Sequence, residues 1–292
     1  RPVLQLTLEF WDMIRWAFKE ADRLGLKLAF HGADGFAVAG GPWITPEMSM
    51  QKVVWSTTEI LGGKKVASKL PIPAHYKEYY KDIATFAIPI KEYQITSQTQ
   101  LPKVTTSNNT DALFLADPKK DENFKFADAG WIQYEFAQPF TCKSIVIETK
   151  ERDFQAQRLI VEVSDDGVNF RFHERMIAPR HGWQDMDLPN THTITPVTSK
   201  YFRFVYDPKG TEPGAEDLDF AKWKQNLKVS KITLSNQSLI NNYEGKSGAI
   251  WRLTPQITEK EIPNSDAFKK SEIINISNFV DADGNLNCKA PK

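Results

Sequence analysis

The residues best equipped for chemistry in this sequence gather in one glycine-rich stretch, His31-Gly32-Ala33-Asp34-Gly35-Phe36-Ala37-Val38-Ala39-Gly40-Gly41-Pro42-Trp43. The imidazole can hydrogen-bond a hydroxyl or ligate a metal, the carboxylate can accept from a ligand hydroxyl, and the indole can stack on a flat ligand face. Each has a plainer reading: His31 as a structural histidine, Asp34 as a turn residue ahead of Gly35, and Trp43 as an anchor of its loop. The glycines match neither G-x-G-x-x-G nor Walker A spacing, and no lysine follows them, which argues against phosphate binding. Glu47 is the next acid along the chain. Thr45 as N-cap, Pro46 at the first helical position and an acid in the first turn make an ordinary helix start, so Glu47 belongs to that turn. Farther on, Trp183 in Pro179-Arg180-His181-Gly182-Trp183, together with Trp223, could form an exposed aromatic platform; burial is the alternative. Asp217 and Asp219 read as a solvated face, because they lack the oxygen-ligand spacing of a calcium loop.

These residues need elements to position them. Residues 8–24 form an amphipathic helical pattern, with Phe10, Ile14, Ala17, Phe18, Ala21 and Leu24 on one face and Asp12, Arg15, Lys19 and Asp22 on the other. Thr7 is the expected N-cap and Gly25 the expected C′ residue. Leu26 to Phe30 reads as a buried strand, which puts the glycine-rich stretch at a strand's C-terminal end, where α/β folds bind ligands. Val53 to Ile60 reads as a second strand ended by Gly62-Gly63, and residues 64–104 as strands and connector. From 105 to 236 the pattern becomes short alternating strands. Ile132, Tyr134 and Phe136 share a face, as do Leu159, Val161 and Val163, and Phe202, Phe204 and Tyr206. Asp166-Gly167 marks a hairpin. About seven such strands indicate a β-sandwich. Pro208 to Asn226 interrupts them as a long acidic loop. Glu272 to Ile276 reads as a strand and Asp281 to Asn285 as a turn.

The 292 residues are 41% apolar and 25% charged, which suits a packed chain of about two domains. Lys plus Arg equals Asp plus Glu at 37 each, so no net positive charge is available to draw nucleic acid or an anionic membrane. No apolar run approaches the ~20 residues that span a bilayer as a helix. Cys142 and Cys288 are the only cysteines. They lie outside any CxxC or Cys/His metal spacing, and whether they pair is not readable from sequence. The chain opens at Arg1 with no signal segment and reads as a processed or excised piece, so the missing signal does not argue for the cytoplasm.

Two stretches carry a resemblance. HGADGFAVAGGPWITPEMSMQKVVWS, residues 31–56, and the closing DADGNLNCKAP resemble glycoside hydrolase family 106, the α-L-rhamnosidases, in which a GGPWITPE string follows a barrel strand. WIQYEF, VEVSDDGVNF and YFRFVY resemble the galactose-binding-like (discoidin, F5/8 type C) sandwich. The resemblance implies a mainly β chain: a partial α/β, TIM-barrel-derived segment over 1–60, a β-rich connector over 61–104, a galactose-binding-like jelly roll over 105–236, and a β-rich tail over 237–292 leading back to the barrel. It also implies a secreted, periplasmic or outer-surface protein acting on plant or bacterial polysaccharide. In that reading carbohydrate is the partner, with His31, Asp34, Trp43 and Trp183 as substrate-binding candidates, and the remainder of the barrel completes the enzyme. Glycoside hydrolysis needs two carboxyl groups facing one sugar, ~5–5.5 Å apart for retention or ~6.5–9.5 Å for inversion. The resemblance places that pair beyond Lys292, leaving this segment inactive alone. No cofactor is implied apart from a structural calcium, which modules of this fold often hold through loop carbonyls. A non-catalytic carbohydrate-binding or adhesion module is the alternative.

Overall fold

The computed structural model describes residues 3–29, 43–49, 51–75, 78–120, 122–149, 159–176, 189–208, 227–247 and 266–291. The chain divides into two compact units, residues 1–51 with 77–79, and residues 52–76 with 80–292.

The first unit contains α1, Leu8–Arg23. The Thr7 hydroxyl accepts from the Phe10 amide at 3.3 Å, satisfying one of the donors that a helix start leaves open. At the other end Gly25 takes φ +67°, a left-handed conformation that costs a glycine little. The chain closes there with Leu26 N donating to Ala21 O at 2.8 Å and Gly25 N to Asp22 O at 3.0 Å, a Schellman ending. Phe10, Ile14, Ala17 and Ala21 are half-buried along one stripe, while Phe18 and Leu24, expected on the same face, are exposed. Pro46–Met48 forms a single 3-10 turn behind Thr45.

The expected strand at 26–30 is not present in its described part. Leu26 to Ala29 join no ladder, and Leu26 and Leu28 are exposed. Val53 to Ile60 likewise runs without strand pairing, with Val53, Val54 and Trp55 exposed. In both places β-branched or apolar composition favours extended backbone, but a strand exists only where a neighbour supplies its hydrogen bonds.

The second unit holds twelve described strands: β1 Lys65–Lys69, β2 Phe86–Ala87, β3 Lys103–Thr106, β4 Phe124–Phe126, β5 Gly130–Glu148, β6 Ile160–Ser164, β7 Arg171–Arg175, β8 Asn190–Tyr206, β9 Leu227–Val229, β10 Lys231–Ser235, β11 Ile274–Asn275 and β12 Asn285–Lys289. Two short helices, α2 Ser97–Gln100 and α3 Tyr243–Lys246, accompany them. β1 pairs antiparallel with β12, and β2 with β11, so segments on either side of the sandwich meet. Around them Ile276, Leu286 and Cys288 form a small core with Val66, Leu70, Ala87 and Val280.

The sandwich is built on the long strands β5 and β8. The sheet runs β10-β5-β8-β6-β7, and β3 also pairs with β5. β3 matches residues 132–135 of β5 and β10 matches 144–148, while β8 pairs along both halves, so β3 and β10 lie end to end on the same edge. Register breaks between Glu135 and Phe140 and between Cys142 and Ser144 bend β5 at its middle. The bend brings side chains of the two halves together: Phe136 and Phe140 stack with centroids 4.6 Å apart, and both meet Phe202 edge-on. The Tyr134 hydroxyl crosses the core to donate to the Ile232 carbonyl of β10 at 2.9 Å.

The alternation expected from sequence holds. Ile132, Tyr134, Phe136, Leu159, Val161, Val163, Phe202, Phe204 and Tyr206 all point into one core. At Asp166-Gly167 the β6–β7 hairpin turns with Gly167 at φ +77°, and a Cβ there would lie 2.9 Å from the Tyr201 ring. The chain is mainly β.

Candidate functional site

His31 and Asp34 of the glycine-rich stretch, and Trp183, Trp223, Asp217 and Asp219 farther along the sequence, lie outside the described residues. Trp43 is described, and 57% of it is exposed, enough for an indole face to meet a ligand. Glu47 behaves as the acid of a helical first turn: the Thr45 hydroxyl and its own amide hold its carboxyl below the usual glutamate value. That is the wrong direction for a general acid, which needs a raised value near neutrality. The same direction holds for four other carboxylates. Glu20, Asp166, Glu272 and Asp281 are all pushed down, chiefly by hydrogen bonds from Arg23, the Asn169 amide, the Lys269 amide and the Asn285 side chain respectively. These groups accept hydrogen bonds that favour their charged form.

The sandwich carries a candidate binding face that residue types alone did not reveal. On the side of β5 away from the core, Gln133 lies opposite Arg203 and Glu135 opposite Tyr201 of β8, and Glu162 of β6 flanks Arg203. The Arg203 guanidinium sits between two rings, 4.5 Å from the Trp131 centroid and 3.4 Å from that of Phe170. Its Nε and Nη2 donate to Gln133 Oε1 at 3.2 and 2.8 Å. Partial burial lowers its pKa, and the charge of Glu162 works against that shift. Beside it the Tyr201 hydroxyl donates to Glu135 Oε1 at 3.1 Å, and the Lys200 ammonium lies 5.5 Å above the Tyr201 ring. The result is a half-exposed platform of aromatic faces, a fixed cation and carboxylate and amide acceptors. Such a surface can bind a polyol by stacking and hydrogen bonding. The signal for it was the outward half of the alternation, Trp131, Gln133, Glu135, Tyr201 and Arg203, but only the β5–β8 register places Trp131 and Arg203 together.

Among the described residues no group of three or more His, Cys, Asp or Glu side chains is placed to hold a metal ion. The calcium that the resemblance implies belongs to no particular loop; in this structure the carbonyls of Phe114, Asp117 and Lys120 converge, but on the Lys231 ammonium. These residues do not fit a divalent ion. Cys142 and Cys288 are both free and buried. No described helix is long and apolar enough to cross a membrane.

Comparison with known proteins places these features in a family. A solved rhamnosidase from Novosphingobium sp. PP1Y is similar over 100% of this chain and 27% of its own, at 21% identity and TM-score 0.64. The protein named "Putative beta-glucuronidase" from Formosa agariphila is 43% identical over 88 residues, 30% of this chain and 8% of that protein. CpGH89CBM32-5 from Clostridium perfringens, solved with GalNAc-β-1,3-galactose, is similar over 48% of this chain and 99% of its own, at 14% identity and TM-score 0.35. This chain therefore spans about a quarter of the solved rhamnosidase and less than a tenth of the curated relative. Residues 2–292 match the family described as alpha-L-rhamnosidase, and the chain belongs to glycoside hydrolase family 106.

Proposed function

We propose that this chain is one part of an α-L-rhamnosidase that removes rhamnose from plant or bacterial polysaccharide outside the cytoplasm. The observation that carries the reading is the family match over residues 2–292, read with the overlap of the whole chain on only 27% of a solved rhamnosidase. On this reading residues 1–60 are the barrel-derived part, and His31, Asp34 and Trp43 of that stretch line the sugar pocket. The jelly roll serves as scaffold, and the catalytic carboxyl pair comes from the rest of the enzyme. The lowered carboxyls of Glu20, Glu47, Asp166, Glu272 and Asp281 agree with that division, because a proton donor needs the opposite shift.

The test compares the 292-residue chain with the full-length protein on an aryl α-L-rhamnoside. Turnover by the full-length protein and a flat trace from the chain alone are expected, since losing general acid–base help costs about 10²–10⁴-fold in rate. In the full-length protein Trp43→Ala raises KM more than it lowers kcat. Robust turnover by the chain alone, abolished by Asp34→Asn, would overturn the reading and move the catalytic acid into the glycine-rich stretch.

A second reading, a carbohydrate-binding module without chemistry, is favoured by the Trp131, Phe170 and Arg203 platform. Calorimetric titration of the chain with rhamnose-containing oligosaccharide separates the two. Binding that Trp131→Ala removes, combined with no turnover from the full-length protein, supports the module.

A further inference from the structure

Lys231 opens β10, yet it is buried, with 8% of the residue exposed. Its Nζ donates to the Phe114 carbonyl at 3.0 Å and, in closer contacts, to the carbonyls of Asp117 and Lys120. An ammonium has three protons, and here three backbone oxygens from one short loop take all of them. No described carboxylate forms an ion pair with it. Ala112, Leu115 and Ala116 of the same segment are fully buried, so the Phe114 carbonyl between them cannot turn to solvent without disturbing the core. Phe114 is buried, Asp117 half-buried and Lys120 exposed, and carbonyls from such residues aimed at a single point favour a positive partner, of which a hard cation such as calcium is the usual one.

We propose that the Lys231 ammonium is the resident cation of the 113–120 loop and takes the place of a bound divalent ion, so that the sandwich keeps this loop folded without metal. The lysine stem rises from β10, so the cation is covalently tied to the sheet that the loop covers. It cannot be lost to a chelator. A divalent ion entering the same carbonyl cluster would sit beside a fixed positive charge, which Coulomb repulsion at a few ångströms opposes.

The test measures thermal unfolding of the protein, with hydrogen exchange at the amides of 112–120, in EDTA and in millimolar calcium. The expected result is a midpoint that differs by no more than about 1 °C between the two, because an ion that does not bind the native state cannot stabilise it. The loop amides exchange at equal rates in both. Lys231→Met keeps the stem and removes the charge and donors. It lowers the midpoint by about 5–10 °C and speeds exchange at 112–120, since the buried Phe114 carbonyl is orphaned and those of Asp117 and Lys120 lose a charged donor. Should that variant fail to fold, Lys231→Gln, which keeps two donors without the charge, melts below the wild type. Faster loop exchange in EDTA, slower exchange in calcium, or a Lys231→Met variant that melts with the wild type would each overturn the proposal.

Discussion

Tyr134→Phe isolates a single atom at the centre of the sandwich. The side chain is fully buried, its ring meets Phe204 edge-on at 5.5 Å, and its hydroxyl donates to the Ile232 carbonyl at 2.9 Å. That bond ties the first half of β5 to β10 on the other side of the core. Phenylalanine keeps the ring and its packing, so the change removes only the bond and leaves the carbonyl poorly matched; the Ser97 hydroxyl, its other side-chain donor, is 3.5 Å away. A neutral hydrogen bond contributes about 1 kcal/mol net, and because Ser97 still reaches the carbonyl only part of the about 1–3 kcal/mol cost of an unsatisfied buried acceptor is added, so a loss of about 1.5–2.5 kcal/mol is expected in urea unfolding at pH 7. The pH dependence gives an independent check. Burial pushes the Tyr134 hydroxyl well above its ordinary value of 10.0, so folding holds it neutral. The stability tied to that group is intact below about pH 10 and is lost as pH rises above it, because the unfolded chain then releases a proton that the folded chain retains. The wild type therefore loses more stability than Tyr134→Phe above pH 10, and the gap between them narrows. A gap below about 0.5 kcal/mol at pH 7 would refute the argument that this bond is a working tie across the core. So would a gap of constant size at alkaline pH.

Three further outcomes follow from the geometry. Gly167→Ala forces a Cβ against the Tyr201 ring at a φ of +77° and lowers stability by about 1–3 kcal/mol, measured by urea titration; an unchanged midpoint would show that the hairpin relaxes freely. The Asp166 carboxylate accepts from the amides of Val168 and Asn169, the Asn169 side chain and the Ser164 hydroxyl, which hold it well below its ordinary 3.8. Its contribution is present above about pH 4 and is lost as pH falls toward the lowered value, so Asp166→Ala melts below the wild type at pH 6 and converges with it in acid. Equal separation at both pH values would contradict this. The buried Cys142 thiol is pushed up to about 12 by desolvation, and Cys288 is buried as well. A thiol reagent at pH 8 therefore leaves both unmodified in the native protein and labels both in urea without a reductant, whereas failure to label in urea would reveal a disulfide.

Local physics was readable without coordinates. Thr7 and Gly25 bracket α1 because a helix end is satisfied by residues only a few positions away. Asp166-Gly167 turned where expected because a tight turn needs a positive φ at one site. The alternation of Ile132, Tyr134 and Phe136 against Trp131, Gln133 and Glu135 identified a sheet with one buried face.

Pairing was not readable in the same way. Leu26 to Ala29 and Val53 to Ile60 have the composition of strands and remain unpaired, while Phe86–Ala87 and Ile274–Asn275, far apart in sequence, become neighbours. The candidate binding face and the Lys231 cluster depend on the same non-local information. No spacing in the chain announces that Arg203 lies between Trp131 and Phe170, or that Lys231 meets three carbonyls from residues 114 to 120. A residue's type and its near neighbours set what it can do locally, and those are written in the sequence. Which distant group satisfies its hydrogen bonds or charge is decided when β5 and β8 bend and bring remote backbone together, and only the tertiary structure holds that choice.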